Sequence, residues 1–426
     1  MASVGDLLLE SSCFAHVISS ESVLESVCDN CLDTPNIFDN IPPKKLFRCS
    51  KCRQSYYCNN QCQKRAWSLH KYECKYLQNI APKSPPSVVK LILRILFKNK
   101  LNPKEKEILP DGKTRSLDDL KMHLAEIKSS PERIEAFRSF LCVIRACVGD
   151  MFTSDTVFQT YCKVIINSTE ITDVMGNTIG TGLFLGLSAV DHSCQPNANV
   201  VFSGTRVILR AMTSIPSPVW SSVRINYLGT ILPTAIRQKR LEEAYYFQCK
   251  CVLCVTKDQE LDKLCQGCHV CVSCKGPVAD TCDSCQDCGK LNQFDQSDSK
   301  LFNHSSGNET ELLKTYPFLK RTYHIYDYRM IEFSEKALAA CLNLSEFEMF
   351  YDISENLLIA YKKYLSPYSV SFALHLAKLA KIAIYLGKNE EALDYLLKCF
   401  KTMKLSHGDS SKMLVYLNAL RDSISL

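Results

Sequence analysis

The sequence predicts an α+β chain of several domains, with cysteine-rich metal-binding modules around a short-stranded β core and an all-α C-terminal part. Three observations predict it. The chain has 426 residues, more than one hydrophobic core ordinarily serves, because domains run to roughly 100–200 residues. Its 24 cysteines fall in spaced groups. The apolar pattern also changes along the chain, from helical spacing to short β-branched runs and back to helical spacing. A composition with 46% hydrophobic and 23% charged residues, and only 15 Gly and 16 Pro, is that of a folded chain. The net charge of +6 comes from 51 basic and 45 acidic residues that are intermixed, so nucleic-acid binding is expected to be weak or absent. Met1 to Asp6 lacks a basic leader and Leu7 to Leu9 is too short for a signal core. The apolar stretch Val88 to Phe97 is interrupted by Lys90 and Arg94, which excludes a membrane span there. The expected location is the cytoplasm and nucleus, where thiols stay reduced and clustered cysteines serve metals.

The first cysteine group is Cys28, Cys31, Cys49, Cys52, Cys58, Cys62, His70 and Cys74, spaced C-x2-C-x17-C-x2-C-x5-C-x3-C-x7-H-x3-C. Eight such ligands serve two tetrahedral zinc ions. His70 and Cys74, four residues apart, would share one face of a helical turn. The second group, Cys249, Cys251 and Cys254, leaves a tetrahedral ion one ligand short, and Cys194 in Asp191-His-Ser-Cys-Gln-Pro-Asn197 is the candidate fourth. The third is the dense run Cys265, Cys268, His269, Cys271, Cys274, Cys282, Cys285 and Cys288. Within it Cys271, Cys274, Cys285 and Cys288 form C-x2-C-x10-C-x2-C with Gly276 and Gly289 after the pairs, the pattern of a zinc ribbon with two turn-forming knuckles. Three zinc ions are expected, and a fourth if the ribbon is filled. Cys13, Cys142, Cys147, Cys162, Cys341 and Cys399 lie in apolar or helical surroundings and read as buried thiols.

The first group, with Tyr57 before Cys58 and Trp67 before His70, resembles a MYND finger. That resemblance implies interleaved sites, Cys28, Cys31, Cys58 and Cys62 on one ion and Cys49, Cys52, His70 and Cys74 on the other, and binding of proline-rich peptides. The segment around Cys194, a later tyrosine and C-x-C-x2-C together resemble a SET domain. With the finger upstream, the resemblance is to the SMYD lysine methyltransferases over nearly the whole chain. It implies a split SET β-fold with an inserted MYND zinc finger and a helical insert, a Cys-rich post-SET segment and an all-α TPR-like C-terminal domain.

On that frame residues 1–27 are the remnant of an N-terminal SET segment, in which 5–18 pair as short strands. Residues 28–74 are the finger. Residues 75–162 are a helical insert, with Leu117, Leu120, Leu124 and Ile127, then Ile134, Phe137, Phe140, Leu141 and Ile144 as its core stripe. Residues 163–235 are the SET core, 236–295 the post-SET and ribbon-like segment, and 300–426 the helical C-terminal domain. In the last, Leu357 to Tyr364, Ser371 to Leu386, Glu390 to Lys404 and Lys412 to Ile424 have the spacing of paired helices.

The resemblance implies transfer of a methyl group from S-adenosylmethionine to lysine of histone or non-histone proteins by a monomer. Tyr227, after the strand beginning at Val223, takes the family's catalytic tyrosine position. His123, Asn167, Asp191, His192, Tyr227, Tyr245 and Phe247 take cofactor-binding positions. Three departures stand beside this. The family's G-x-G turn would precede Gly5, and Gly180-Thr-Gly182 lies where the family has a strand entry. Asp191 stands for an asparagine, and Pro216 to Ser222 replaces a G-E-E turn. They leave an alternative: a catalytically weak zinc-binding adaptor that holds proline-rich partners through the finger.

Overall fold

The computed structural model describes the chain apart from residues 20–23, 34–44, 230, 257–258, 293–301, 303–307, 410 and 425–426. It is a mixed α and β fold in two compact units. The first comprises Met1–Asp191, Asn197–Arg224 and Ala244–Tyr246, and the second His192–Pro196, Ile225–Glu243 and Phe247–Leu426.

The first unit is built on one long strand, Leu7–Ile18, which buries Leu8, Leu9, Phe14, Ala15, Val17 and Ile18 in the core. It is the middle strand of a five-stranded antiparallel sheet in the order Ser168–Thr172, Thr178–Phe184, Leu7–Ile18, Arg206–Ala211, Ala198–Ser203. Its first half pairs with Arg206–Ala211 (Leu9 opposite Leu209) and its second with Thr178–Phe184 (His16 opposite Gly182). The irregularity between Cys13 and Ala15 falls just where the partner changes, as a bulge that re-aims a strand should. The expected short strands of 5–18 are therefore one strand with two partners. Gly180 and Gly182 lie inside Thr178–Phe184. A Cβ on Gly182 would come within 2.8 Å of Cys13 Sγ and Ile171 Cδ1, so close strand packing explains this glycine.

Helix Ser87–Leu101 packs on that strand and on helix Ser154–Asn167. It buries Val89, Leu91, Ile92, Leu93, Ile95, Leu96 and Phe97. An apolar surface so wide around a helix marks a core position, and each such side chain contributes about 1.5–3 kcal/mol when buried. Its end is tied down by Lys98 Nζ, which donates to the Phe14 carbonyl and to Glu105, each at 2.7 Å. Helix Pro131–Val148 starts with Ser130 accepting from the Arg133 amide and Pro131 at its first turn, the residues that suit a helix start. The expected helical stripe 117–127 is more broken than that: Leu117–Asp119 is a single 3-10 turn and Leu124–Ser129 a six-residue helix. The finger has a two-stranded pair, Phe47–Arg48 with Tyr56–Tyr57, and helix Asn60–Asn79, capped by Asn59 accepting from the Cys62 amide at 2.9 Å.

In the second unit, Glu309–Thr322, Tyr328–Leu344, Phe347–Tyr364, Val370–Tyr385, Asn389–His407 and Lys412–Ile424 follow one another, each packed on the next. Short links between such neighbours make helical hairpins. Buried Asp327 caps the second of them, accepting from the Arg329 amide at 2.8 Å. Among the described residues no helix is long and apolar enough to cross a membrane.

Candidate functional site

The structure brings the finger's eight ligands together in two interleaved sets. Cys28, Cys31, Cys58 and Cys62 form one, and Cys49, Cys52, His70 and Cys74 the other, with the ligand atoms of each set within 4.8 Å of one another. Cys31 and Cys58 sulfurs are 3.9 Å apart, as are those of Cys49 and Cys74, and Cys52 Sγ is 3.6 Å from His70 Nε2. Zinc–sulfur bonds of about 2.3 Å in a tetrahedron place sulfurs close to 3.8 Å apart, so the sets fit zinc. The local folding explains the order. Cys28 and Cys31 sit on a turn, Cys49 and Cys52 on the next, and helix Asn60–Asn79 presents Cys62, His70 and Cys74. Donation from Cys31, against the cost of burial, holds the Cys28 thiol down to about 5, as a metal thiolate requires.

Behind His70 lies a buried charged network that sequence reading missed. Its Nδ1 is 3.5 Å from Glu73 Oε2, with both side chains nearly fully buried. Glu73 is gripped by Arg94, Nε to Oε1 at 2.5 Å and Nη2 to Oε2 at 2.9 Å, and Arg94 Nη2 reaches Asp29 Oδ2 at 3.2 Å. A carboxylate behind a zinc-binding histidine fixes the ring and raises its basicity.

In the second unit Cys194, Cys249, Cys251 and Cys254 also converge within 4.8 Å, with Cys254 and Cys194 sulfurs 3.5 Å apart. Burial pushes the Cys251 thiol up, but the Cys254 amide and Cys249 bring it down to about 6. Gln238 clamps the Cys249 backbone from both sides, donating to its carbonyl and accepting from its amide at 2.8 Å each. Arg237 stands beside the cluster, 3.9 Å from Cys254 Sγ. Neither Gln238 nor Arg237 has a sequence signature. The ribbon cysteines Cys271, Cys274, Cys285 and Cys288 form the fourth convergent set.

The residues expected at the cofactor and catalytic positions divide between the units. His192, Tyr227 and Phe247 belong to the second. The Tyr227 amide donates to His192 Nδ1 at 3.0 Å, and His192 Nε2 is 3.2 Å from Cys194 Sγ. Burial, with the Arg237 charge behind it, lowers His192 to about 4, so the ring is neutral at pH 7. Since Nδ1 accepts, Nε2 carries the proton and donates to the Cys194 sulfur. The rings cluster: His192 to Tyr227 at 5.2 Å, His192 to Phe247 at 5.9 Å, and Tyr227 edge-on to Phe247 at 6.5 Å between centroids.

His123, Asn167, Asp191 and Tyr245 belong to the first unit. His123 sits in a left-handed turn (φ 46°) with its ring 5.2 Å from that of Tyr246. Tyr246, also at positive φ (60°), was passed over for its neighbours, because three consecutive aromatics give no signal as to which faces what. Asn167 Nδ2 donates to the carbonyls of Lys121 and Lys163 at 2.8 Å each, which holds the approach to the His123 turn. Asp191 is exposed, and Tyr245 is half-buried, with burial pushing its phenol up.

A MYND finger family profile matches residues 28–74. Over almost the whole chain there is similarity to lysine methyltransferases. The chain is 27% identical over 425 residues to the histone-lysine N-methyltransferase SMYD3 of Homo sapiens, covering 96% of this chain and 90% of that protein. It is 24% identical over 415 residues to the N-lysine methyltransferase SMYD2 of Homo sapiens, with 95% and 90% covered. It is 26% identical over 445 residues to the histone-lysine N-methyltransferase ASHR1 of Arabidopsis thaliana, with 97% and 90% covered.

Proposed function

We infer that this chain, a protein of the SMYD type, is a protein-lysine N-methyltransferase that uses S-adenosylmethionine and acts on histone or other proteins in the cytoplasm and nucleus. The observation that carries the reading is the chain of contacts in the second unit from Cys194 through His192 to the Tyr227 amide. It joins the zinc clasp to the expected catalytic tyrosine. Two zinc ions in the finger and one in the clasp complete the reading.

The residues fit S-adenosylmethionine in chemistry. Both amide hydrogens of Asn167 go to protein carbonyls, and its carboxamide oxygen, for which no partner is found among the described residues, can accept from an ammonium or hydroxyl of the cofactor. Within the first unit Tyr245 offers a ring face and His123 and Asp191 polar groups, and within the second Phe247 and His192 offer the same kinds of group. When bound, the cofactor supplies an electrophilic methyl group on a sulfonium. The protein must then present lysine as a neutral amine, although its reference pKa is about 10.4. Loss of hydration beside Tyr227 and Phe247 disfavours the ammonium, so its proton leaves to water before transfer. The Tyr227 hydroxyl orients the amine, and the rings exclude water, which together align an in-line displacement.

Calorimetry and transfer assays on the full chain test this. Micromolar cofactor binding is expected, with Tyr227→Phe keeping binding and lowering transfer by about 10²–10³, the usual effect of losing one positioned donor. No heat at millimolar cofactor, or full transfer by Tyr227→Phe, would refute it.

One observation favours a second activity, the holding of proline-rich partners. Phe47 and Trp67 on the finger are 54% and 41% exposed, and aromatic faces suit proline. Binding of a proline-rich peptide should then survive Tyr227→Phe and fall with Trp67→Ala. Survival of binding in Trp67→Ala would count against it.

A further inference from the structure

We propose that Cys271, Cys274, Cys285 and Cys288 hold a zinc ion of their own, and that this ion, in place of an apolar core, folds residues 265–292. The inference is independent of the methyl-transfer reading.

Residues 265–292 are tied at their base, where the Cys268 amide donates to Asp327 and the Cys268 carbonyl accepts from the His324 amide, but toward the tip they contain little that could fold them without metal. Beyond the end of helix Gln259–Gln266, their regular structure is one pair of three-residue strands, Cys268–Val270 with Pro277–Ala279. Two small apolar clusters are found there, Leu264, Cys268 and Ala279 at the base and Cys271, Val278 and Cys285 near the tip. Burying so few side chains yields a few kcal/mol at about 1.5–3 each. Ordering each residue's backbone costs about 1–2 kcal/mol. An isolated two-stranded hairpin is marginal for this reason. Structural zinc, with about 10–16 kcal/mol of apparent binding energy, can make up such a deficit.

The two cysteine pairs are built as matching knuckles. In the first, the Cys271 amide donates to the Gly276 carbonyl at 2.9 Å, the Lys275 amide to the Cys271 carbonyl at 3.0 Å, and the Gly276 amide points at Cys274 Sγ at 3.4 Å. In the second, the Cys285 amide donates to the Lys290 carbonyl and the Gly289 amide to the Cys285 carbonyl, each at 2.9 Å. Lys275 and Gly289, four residues after the first cysteine of each pair, both take the left-handed conformation (φ 68° and 70°). Such turns aim backbone amides at sulfur and favour the thiolate. Buried Asn292 staples the knuckles, its Oδ1 accepting from the Val272 amide at 3.1 Å and its own amide donating to the Asp283 carbonyl at 2.7 Å. The sulfurs of Cys271 and Cys288 are 3.8 Å apart and those of Cys274 and Cys285 3.4 Å, a tetrahedral spacing. A set of four thiolates at these distances selects zinc among common divalent ions with no redox step, and each thiol that still carries a proton releases it to water on binding.

Cys274 and Cys288 are exposed, whereas all four ligands of the finger's second set are buried. The ribbon ion should therefore be the first to leave.

Metal analysis of the full chain tests the proposal, read as a difference between proteins. Wild type should carry one zinc equivalent more than Cys274→Ser/Cys288→Ser, with hydrogen exchange of helix Asn60–Asn79 unchanged and that of Cys268–Val270 and Pro277–Ala279 accelerated. Should the variant fail to fold, a chelator pulse on wild type replaces it. One equivalent should be lost before any change in the finger, together with protection at those two strands. Equal zinc content in wild type and a folded variant would overturn the proposal, as would chelator loss that starts in the finger. So would an intact mass showing disulfides within the four cysteines of freshly purified, reduced protein.

Discussion

Replacing Arg94 by methionine should be among the most destabilising single changes in the first unit. Arg94 and its partners Glu73 and Asp29 are about nine-tenths buried or more, with side-chain exposures of 11%, 4% and 10%. Methionine fills much of the same space but leaves two carboxylates buried without their cation. At the observed contacts of 2.5 to 3.2 Å, a unit pair at an effective dielectric near 20 is worth about 4 kcal/mol or somewhat more. Removing one partner of a buried pair typically costs about 3–5 kcal/mol. At roughly 2–4 °C per kcal/mol for a domain of this size, melting should fall by about 10 °C. The finger should also release zinc faster, because Glu73 loses its anchor behind His70. The sign with pH follows. Burial pushes the Glu73 carboxyl up, while Arg94 and His70 hold it down to about 2, so the native contribution is present above its unfolded pKa and is lost as pH falls toward 2. In the variant the Glu73 carboxyl, without the Arg94 charge, takes up its proton more readily, and the difference from wild type shrinks below pH 5. Scanning calorimetry at pH 7 and 5, with chelator release kinetics, measures both. Adding Glu73→Gln and Asp29→Asn to Arg94→Met should restore a large part of the loss. A shift below about 2 °C for the single variant, or no recovery in the triple, would refute the account of a buried network.

Three further outcomes are expected. His375 is buried and donates Nε2 to the Ser354 carbonyl at 3.0 Å, and burial lowers it from 6.5 to about 4. The unfolded chain therefore takes up that proton first, and stability falls as pH drops from 6.5 to 4, by about 3 kcal/mol at the acidic end. Urea unfolding of wild type and His375→Gln across that range should show a steeper loss in wild type. Replacing His192 by phenylalanine removes the acceptor of the Tyr227 amide and the donor to Cys194, and should lower methyl transfer about 10–100-fold with zinc retained. Unaltered transfer would break the link drawn between clasp and tyrosine. Asn167→Ala removes two donors to backbone carbonyls and should cost about 1–3 kcal/mol, seen as faster hydrogen exchange around the turn at His123.

What could be read from the residues beforehand was what is short in sequence or repeated. The eight finger ligands are spaced so that turns and one helix bring them together, and the spacing itself shows this. The C-terminal helices announce themselves by apolar residues at three and four. The buried network was illegible because its members are far apart and locally misleading. Glu73 reads as a surface residue on a helix that faces water, and Arg94 as a polar interruption of an apolar stretch. Only the fold shows that the second neutralises the first across 21 residues. The strand Leu7–Ile18 is a similar case. Its apolar residues are visible, but the change of partner at Cys13 depends on Gly182, whose missing side chain makes room for that sulfur.

A zinc ion in the set Cys194, Cys249, Cys251 and Cys254 would explain how Tyr227 can be placed by residues so distant along the chain. Cys194 and Cys254 are 60 residues apart, and closing such a loop costs about 4 kcal/mol in chain entropy. A structural zinc site supplies several times that. An ion there would hold Cys194 in place, and the Cys194 sulfur accepts the hydrogen bond from His192 Nε2 that fixes the tautomer of the ring. His192 in turn is obliged to accept from Tyr227. Loss of such an ion would free the sulfur to protonate, and a thiol is a weaker acceptor for the imidazole N–H. The Tyr227 amide then has a rotating partner where it had a fixed one. Disorder should thus reach the tyrosine while the helices Glu309–Thr322 to Lys412–Ile424 stay packed on one another, because each buries its own apolar side chains against the next.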